Sequence, residues 1–393
     1  MSLCLRLRTL RSTCGISVLA LVLAGGTACA GRMTPSSGAA TLAPSARGNV
    51  IFPGAAWARA QSPEAAGFSS AKLEALRPRL KRLATTGMVV IAGGEIVFDY
   101  GDISEVSYIA SVRKSVLAML FGRQVENGTI RLDKTLREMK ITDRGGLSDQ
   151  ELEATIADLL AARSGVYHPA SNAGDSLADA PPRGSQRHGT YFLYSNWDFN
   201  ALGTIYEQET GRDLYDALEA EIARPIGMQD FHRELHQKSG DLSRSVHPAY
   251  HMHFSTRDMA RIGYLMLHEG RWANVQLVPG AWTKRIVTPV TRSTGMNPSG
   301  FRGGPFGYGL LWWVFDGPSS AGAFDGAYTG IGAGGQYITV LPKLDLVVAH
   351  KVKIPGATGS VSAGTYLEIL AQVVAASTAA TSAEFPDRWF ATR

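Results

Sequence analysis

Ser111-Val112-Arg113-Lys114 opens an apolar helical run, and two further short segments, Tyr194-Ser195-Asn196 and Tyr328-Thr329-Gly330, follow it at long intervals. These residue types could together carry out acyl transfer. A serine hydroxyl is a weak nucleophile at neutral pH and needs a base within hydrogen-bond reach, and a residue three positions along a helix lies on the same face. Lysine can be that base only when uncharged. Bringing its pKa from about 10.4 to near 7 takes roughly 3.5 units, or about 4.7 kcal/mol, which burial and neighbouring cations can supply. The tetrad is therefore expected on a buried helix face.

The surrounding residues agree. From Val112 to Val125 the pattern is helical and is closed by Asn127-Gly128, a helix stop. Ser111, Lys114, Ala118, Phe121 and Val125 form one apolar stripe, with Arg113 and Arg123 expected on other faces. Ser111 would then stand at a helix N-terminus, where unpaired N–H groups and the positive dipole end favour a developing oxyanion. A Ser-x-x-Lys match alone is weak, since composition yields one about once in a chain of this length. A second match, Ser69 to Lys72, precedes a charged helical pattern and reads as a helix cap with a solvated lysine.

Tyr194 could relay a proton between the serine and a leaving group, while the short amide of Asn196 could bind the acyl side chain or steady the lysine. The glycine-rich third segment reads as a sheet edge that approaches the substrate, with Tyr328, Thr329 and Gly330 as substrate-binding residues. The Ile331 N–H would pair with that of Ser111 as an oxyanion hole.

The elements that must position these groups come from both ends of the chain. A helix is expected from Ser70 to about Ala84, then a hairpin around Gly93-Gly94; a second hairpin in QYITVLPKLDLVVAHKV and a last helix in AGTYLEILAQVVAAS lie near the far end. The middle shows helical periodicity at Leu152 to Ala161, Ala201 to Thr210, Asp213 to Ile222 and Thr256 to Glu269. The expected fold class is α/β of the α+β type: an antiparallel sheet flanked by helices, with a mainly helical second lobe. The sheet lobe would take about 51–125 and 255–393, the helical lobe about 126–254. The loop Ser164 to Gly189 is too long for a plain connector and is expected to shape a cleft.

The 393 residues are 45% hydrophobic and 19% charged, an ordinary globular composition, and nothing in the net charge of +5 suggests a nucleic-acid partner. Residues 1–30 carry Arg6, Arg8 and Arg11, then the apolar run Gly15 to Ala24, then small residues, the pattern of an export signal; 31–50 reads as a flexible tether. Export would deliver the enzyme to a bacterial periplasm or beyond. Cleavage after Ala30 competes with lipidation at Cys29, which would tether the chain to a membrane. All three cysteines, Cys4, Cys14 and Cys29, lie in this segment, so the mature domain has no thiol nucleophile, internal disulfide or Cys-ligated metal. His247, His251 and His253 are closely spaced but lack an acidic companion, so a structural or cleft-lining role is favoured over zinc binding. No cofactor or metal is expected.

The chain resembles the class C beta-lactamase-like serine hydrolases, a superfamily of beta-lactamases, DD-peptidases, esterases and aminohexanoate-oligomer amidases. The likeness runs from about Phe52 to Val374 and rests on SVRKS, LLAARSGVYH, GTYFLYSNWDFNALG, STRDMARIGYLML, GYGLLWW and GGQYITVLP. It implies that Ser111 is the nucleophile, Lys114 the base and Tyr194 the second acid-base group. One departure stands out: Tyr328 occupies the place where beta-lactamases and DD-peptidases carry a lysine that meets the substrate carboxylate. An esterase or amidase acting on a neutral or unusual small molecule is therefore expected, with a beta-lactamase, a DD-peptidase or a catalytically silent acyl-ligand binding protein as the alternatives, and Tyr328→Lys would restore the cation. Tyr167, Trp197, Trp312 and Trp313 are candidates to line an aromatic cleft or simply to pack in the core.

Overall fold

The computed structural model describes residues 50–356 and 358–379, so the expected export segment and its cysteines lie outside the described residues. Ten helices are used below as landmarks: α1 (Ser70–Glu74), α2 (Arg77–Arg82), α3 (Val112–Glu126), α4 (Asp149–Leu152), α5 (Ile156–Leu160), α6 (Asn196–Thr210), α7 (Leu214–Leu218), α8 (Thr256–Leu267), α9 (Gly280–Ile286) and α10 (Ala363–Ala376). The strands of the main sheet are β1 (Gly87–Ala92), β2 (Glu95–Gly101), β3 (Phe306–Tyr308), β4 (Trp313–Phe315), β5 (Tyr328–Gly332), β6 (Gln336–Leu341) and β7 (Leu346–Lys351).

Two hairpins from opposite ends of the chain build the sheet. Gly93 and Gly94, at φ 57° and 88°, make the two-residue turn between β1 and β2, a left-handed geometry that glycine adopts without steric cost. β1 pairs with β7 from Gly87↔Lys351 to Ala92↔Leu346, joining the first hairpin to the second. The seven strands follow the order β2-β1-β7-β6-β5-β4-β3, every pairing antiparallel. This is the antiparallel sheet expected from the two terminal hairpins.

Side-chain alternation splits the core in two. Val89 and Ile91 of β1 join a cluster with α3, α6 and α8, whereas Met88 and Val90 join one with α1, α2 and α10. Because helices cover both faces, β1 is buried along its whole length.

Several helices are shorter than periodicity suggested. The run from Ser70 to Ala84 breaks after Glu74, because Pro78 lacks an N–H and its ring would clash with the carbonyl four residues earlier; it is tolerated only near the start of α2. The run from Leu152 splits into α4 and α5, each opened by its own capping box, Ser148 with Glu151 and Thr155 with Asp158. The run from Asp213 becomes α7 continued by a π turn, Glu219–Ala223. Conversely α6 starts at Asn196, so the last residue of the second motif belongs to the helix, with Ser195 as its N-cap and Tyr194 ahead of it.

α3 is not the amphipathic helix its stripe implied. It lies between the sheet and helices α6 and α9, and Arg113 is as buried as the apolar stripe. Gly122 lets Trp282 of α9 approach closely enough for its Nε1 to donate to Ala118 O at 2.7 Å.

The α8–sheet contact rests on a similar gap. A Cβ on Gly263 would lie 2.5 Å from Val347 Cγ1 and 2.9 Å from Ile338 Cγ2, and both β-branched side chains are locked in the sheet. Helix propensity favours alanine over glycine by about 1 kcal/mol, but overpacking costs about 1–3 kcal/mol. Gly263→Ala is therefore expected to lower the thermal midpoint, and Gly263→Val to lower it further, by calorimetry. An alanine variant that melts higher would show that the helix can lift off the sheet at little cost.

Candidate active site

The chain enters α3 from the short strand Ser107–Tyr108 through a tight turn. Ala110 has φ 48°, a left-handed conformation unfavourable for a residue with a Cβ. The turn sends the N–H groups of Val112, Arg113 and Lys114 back to the carbonyls of Ile109, Ala110 and Ser111. Ser111 is the N-cap residue, yet its hydroxyl caps nothing. It lies instead 2.7 Å from Lys114 Nζ. The second tetrad behaves oppositely: Ser69 Oγ accepts from Lys72 N, and Lys72 Nζ donates to Ala375 O at an exposed site, the capping role expected.

Lys114 Nζ is the centre of the cluster. It lies 2.7 Å from each of Ser111 Oγ, Tyr194 Oη and Asn196 Oδ1, and the lysine is 1% exposed. Burial first and the Arg113 cation second hold its ammonium well below the usual lysine range, against an opposing pull from Asp175. Burial drives Tyr194 the other way, up to about 12, so it stays a phenol. Asn196 Nδ2 donates to Ala173 O at 2.9 Å, which fixes the amide orientation and leaves Oδ1 to accept from the lysine. An uncharged Lys114 amine then has one N–H committed to Asn196. Its other N–H and its lone pair face the two hydroxyls, Ser111 and Tyr194.

The long loop Ser164 to Gly189 braces this arrangement. Asp175 Oδ2 accepts from Asn196 N at 3.0 Å at the start of α6, and Ser176 N donates to Tyr194 O at 2.9 Å. Of the two roles considered for Asn196, the contacts the carboxamide makes within the chain match the one that steadies the lysine. Sequence reasoning also missed Asp175 and Ala173, since an acid and an alanine in a Gly- and Pro-rich loop carry no spacing signal. Arg113 lies off the stripe as expected, but its own face is buried as well: it donates to Asn200 Oδ1 at 3.3 Å and its guanidinium lies 4.6 Å from the centre of the Tyr250 ring.

The third segment departs from expectation. Tyr328 and Gly330 turn toward α3, where the Tyr328 ring packs edge-on against Trp312 at 5.4 Å and is buried. Thr329 faces the opposite layer, bonding Thr339 Oγ1 at 2.9 Å. The side chains of Tyr328 and Thr329 are both taken up by packing, because a strand wedged between two buried layers spends both its faces on its neighbours. A lysine at Tyr328 would be buried among apolar groups rather than restore a carboxylate clamp.

What β5 offers is its backbone. A Cβ on Gly330 would lie 3.2 Å from Ser115 Oγ, and one on Gly332 would lie 2.6 Å from Ile109 O and 3.1 Å from Ser111 N, so these glycines bring the strand against the N-terminus of α3. Gly332 O accepts from Gly335 N within the β5–β6 turn. By the alternation of an antiparallel ladder, the Ile331 N–H points away from β6, toward the side where β4 pairs only with Tyr328 and Thr329. The Ser111 N–H meets no protein acceptor among the described residues.

Of the aromatic candidates, Tyr167, Trp197 and Trp312 are buried, while the half-buried Trp313 stacks on Tyr194 at 5.6 Å and 29°. The histidines do not converge: His247 bonds Thr204 and Thr142, whereas His253 N donates to His236 Nδ1.

The profile of the Beta-lactamase family matches residues 74–373. Among solved structures, a Bacillus anthracis protein assigned as a 6-aminohexanoate-dimer hydrolase aligns with a TM-score of 0.55 and 20% identity, over 75% of this chain and 81% of its own. An octameric penicillin-binding protein homologue from Pyrococcus abyssi gives 0.56 and 17%, over 78% of each chain. A family VIII carboxylesterase gives 0.56 and 12%, over 78% of this chain and 97% of its own. At such identities these structures speak for the fold. No curated protein sequence matches the chain.

A buried amine that is uncharged in the folded state and protonated in the unfolded state makes stability rise with pH, because the unfolded chain binds the extra proton. The rise continues until the unfolded lysine itself titrates, at about 10.4. The thermal midpoint of the wild type, relative to Lys114→Met, is expected to climb as pH is raised from about 7 toward 10. Parallel curves across a buffer series would mean that Lys114 is protonated in the fold.

Proposed function

This chain belongs to the beta-lactamase family, whose members are hydrolases, and on that footing we propose that it is a serine hydrolase cleaving an ester or amide bond through a Ser111 acyl-enzyme. The observation that carries the reading is the convergence of Ser111 Oγ, Tyr194 Oη and Asn196 Oδ1 on one buried amine, each at 2.7 Å. Fold alone would not support an activity, but a nucleophile, a base and a proton donor in contact do.

The opposed shifts divide the roles. Lys114, depressed, is the base, and Tyr194, pushed up to about 12, is the acid. Lys114 takes the Ser111 proton as Oγ attacks the carbonyl carbon. The tetrahedral oxyanion is met by the N–H groups of Ser111 and Ile331. Tyr194 gives its proton to the departing alcohol or amine and recovers one from Lys114, which completes the acyl-enzyme. A water then attacks the ester carbonyl, its proton passes to the Lys114–Tyr194 pair, and Ser111 leaves with a proton as the acid product is released.

The surroundings favour a neutral, partly apolar substrate. With Tyr328 packed against Trp312, no cation at that position meets a carboxylate, a contact worth roughly 1.5–3 kcal/mol where present. Trp313 stacks on Tyr194, and Phe301, 44% exposed, lies 6.3 Å from Trp313, giving an aromatic wall beside the proton donor. The arginine-bearing, then apolar N-terminal segment supports an enzyme exported from a bacterial cytoplasm, with Cys29 available for a lipid anchor.

Covalent labelling by a fluorophosphonate probe, read by peptide mass spectrometry, tests the nucleophile. Ser111→Ala is expected to abolish labelling and to lower turnover by at least about 10³-fold, and Ser69→Ala to change neither. Lys114→Arg, which cannot deprotonate, should be as inactive as Lys114→Ala. Labelling that persists in Ser111→Ala overturns the site.

The substrate class is tested with p-nitrophenyl esters, short amides and a chromogenic cephalosporin. A short-chain ester is expected to give the highest kcat/KM, and Tyr328→Lys to lose thermal stability instead of gaining cephalosporin turnover. A wild-type enzyme that prefers the cephalosporin would replace this reading with a beta-lactamase.

A further inference from the structure

Arg113 is 1% exposed, yet its one hydrogen-bond partner is a neutral amide, Asn200 Oδ1 at 3.3 Å. Its Nε and Nη1 have no hydrogen-bond partner, and no described carboxylate pairs with it. Buried arginines are normally matched with an acid, because an unmatched charge in a low-dielectric interior is costly to hold. Here even the matching amide is chosen to be uncharged: Asn200 Nδ2 is engaged by Asn172 Oδ1 at 2.8 Å and Ser171 Oγ at 3.3 Å, so its oxygen is turned to the guanidinium. The Tyr250 ring supplies a second, weakly attractive partner at 4.6 Å that also brings no net charge. An unneutralised cation thus lies one residue from Lys114 in the same buried helix.

We propose that Arg113 is a positioning residue whose unpaired charge keeps Lys114 in its proton-accepting form, an inference that rests on the role given to Lys114 above. Asn200 serves this by holding the guanidinium without cancelling it. Two like charges in one buried segment repel strongly, so the one able to shed a proton does so, and arginine cannot.

The other groups around the pair are consistent with this. Lys114 is faced by Asp175 from the long loop, which opposes Arg113, and by Tyr194 ahead of α6. Arg113 is in turn felt by Tyr215 of α7 and by Tyr250 and His251 of the short strand Ala249–His251. Burial first and Arg113 second hold His251 down to about 4, so it adds no positive charge near neutrality.

The rate of fluorophosphonate labelling at Ser111 as a function of pH tests the proposal, because it follows the fraction of uncharged Lys114. Arg113→Met removes the cation, and Asn200→Asp leaves it in place but supplies the missing carboxylate, so one variant can substitute if the other does not fold. Both are expected to move the acid limb upward by about one pH unit, making labelling about tenfold slower below the limb while the high-pH plateau is kept. Arg113→Lys, which retains a cation, should leave the limb nearer its wild-type position than Arg113→Met does. A lower plateau at every pH with an unmoved limb would show a merely structural role and overturn the proposal. If the wild-type acid limb survives in Lys114→Ala, it is the assignment of Lys114 that fails instead.

Discussion

Everything in the site depends on burying an amine without giving it an acid. An exposed lysine is charged at neutral pH and is no base; a buried lysine paired with a carboxylate is charged as well. Lys114 avoids both outcomes by sitting in the buried first turn of α3, with only oxygen partners that are neutral: a serine, a tyrosine and an amide. The enclosure explains why α3 is covered by the sheet on one side and by α6 and α9 on the others, and why Gly122 leaves room for Trp282. The core thus lowers the proton affinity of Lys114 as well as setting a shape.

The same burial constrains the strand beside the helix. For β5 to approach the N-terminus of α3, positions 330 and 332 must lack a Cβ, and they are glycines. Close approach brings the backbone of β5 beside Ser111, where a side chain would collide with the start of α3. It also commits the neighbouring side chains of Tyr328 and Thr329 to packing. Backbone donors suit an oxyanion because they are held by the sheet and need no reorganisation as charge develops.

The long loop is the part of the site with the least regular structure and an organising effect out of proportion to it. Its carbonyl at Ala173 and carboxylate at Asp175 fix the amide and the N-terminus of α6, and Ser176 holds the backbone of Tyr194. Asp175 opposes Arg113 at Lys114, so the lysine feels one cation and one anion, neither of which it hydrogen-bonds. The strained φ of Ala110 is maintained by the hydrogen-bonded turn into α3.

Periodicity and motif order were enough to locate the two terminal hairpins, the last helix, the Ser111–Lys114 contact, and the second tetrad as a cap, because each is a local property: three residues along a helix are neighbours whatever surrounds them. Local signals also misled. The apolar stripe on α3 was read as one buried face, but its first turns are covered on other faces too and bury Arg113, while Arg123 further along is exposed, and nothing in VRKSV distinguishes the cases. Helix ends at Pro78 and at Ser148 and Thr155 were legible in principle, since proline and capping boxes carry a mechanism. The partners of Asn196, the packing of Tyr328 and the lack of an acid for Arg113 were not. Sequence by itself determined which residues could exchange a proton, because that follows from their chemistry and spacing. Only the tertiary structure decided which of them are charged and which face of β5 is used, because burial and distant neighbours set both.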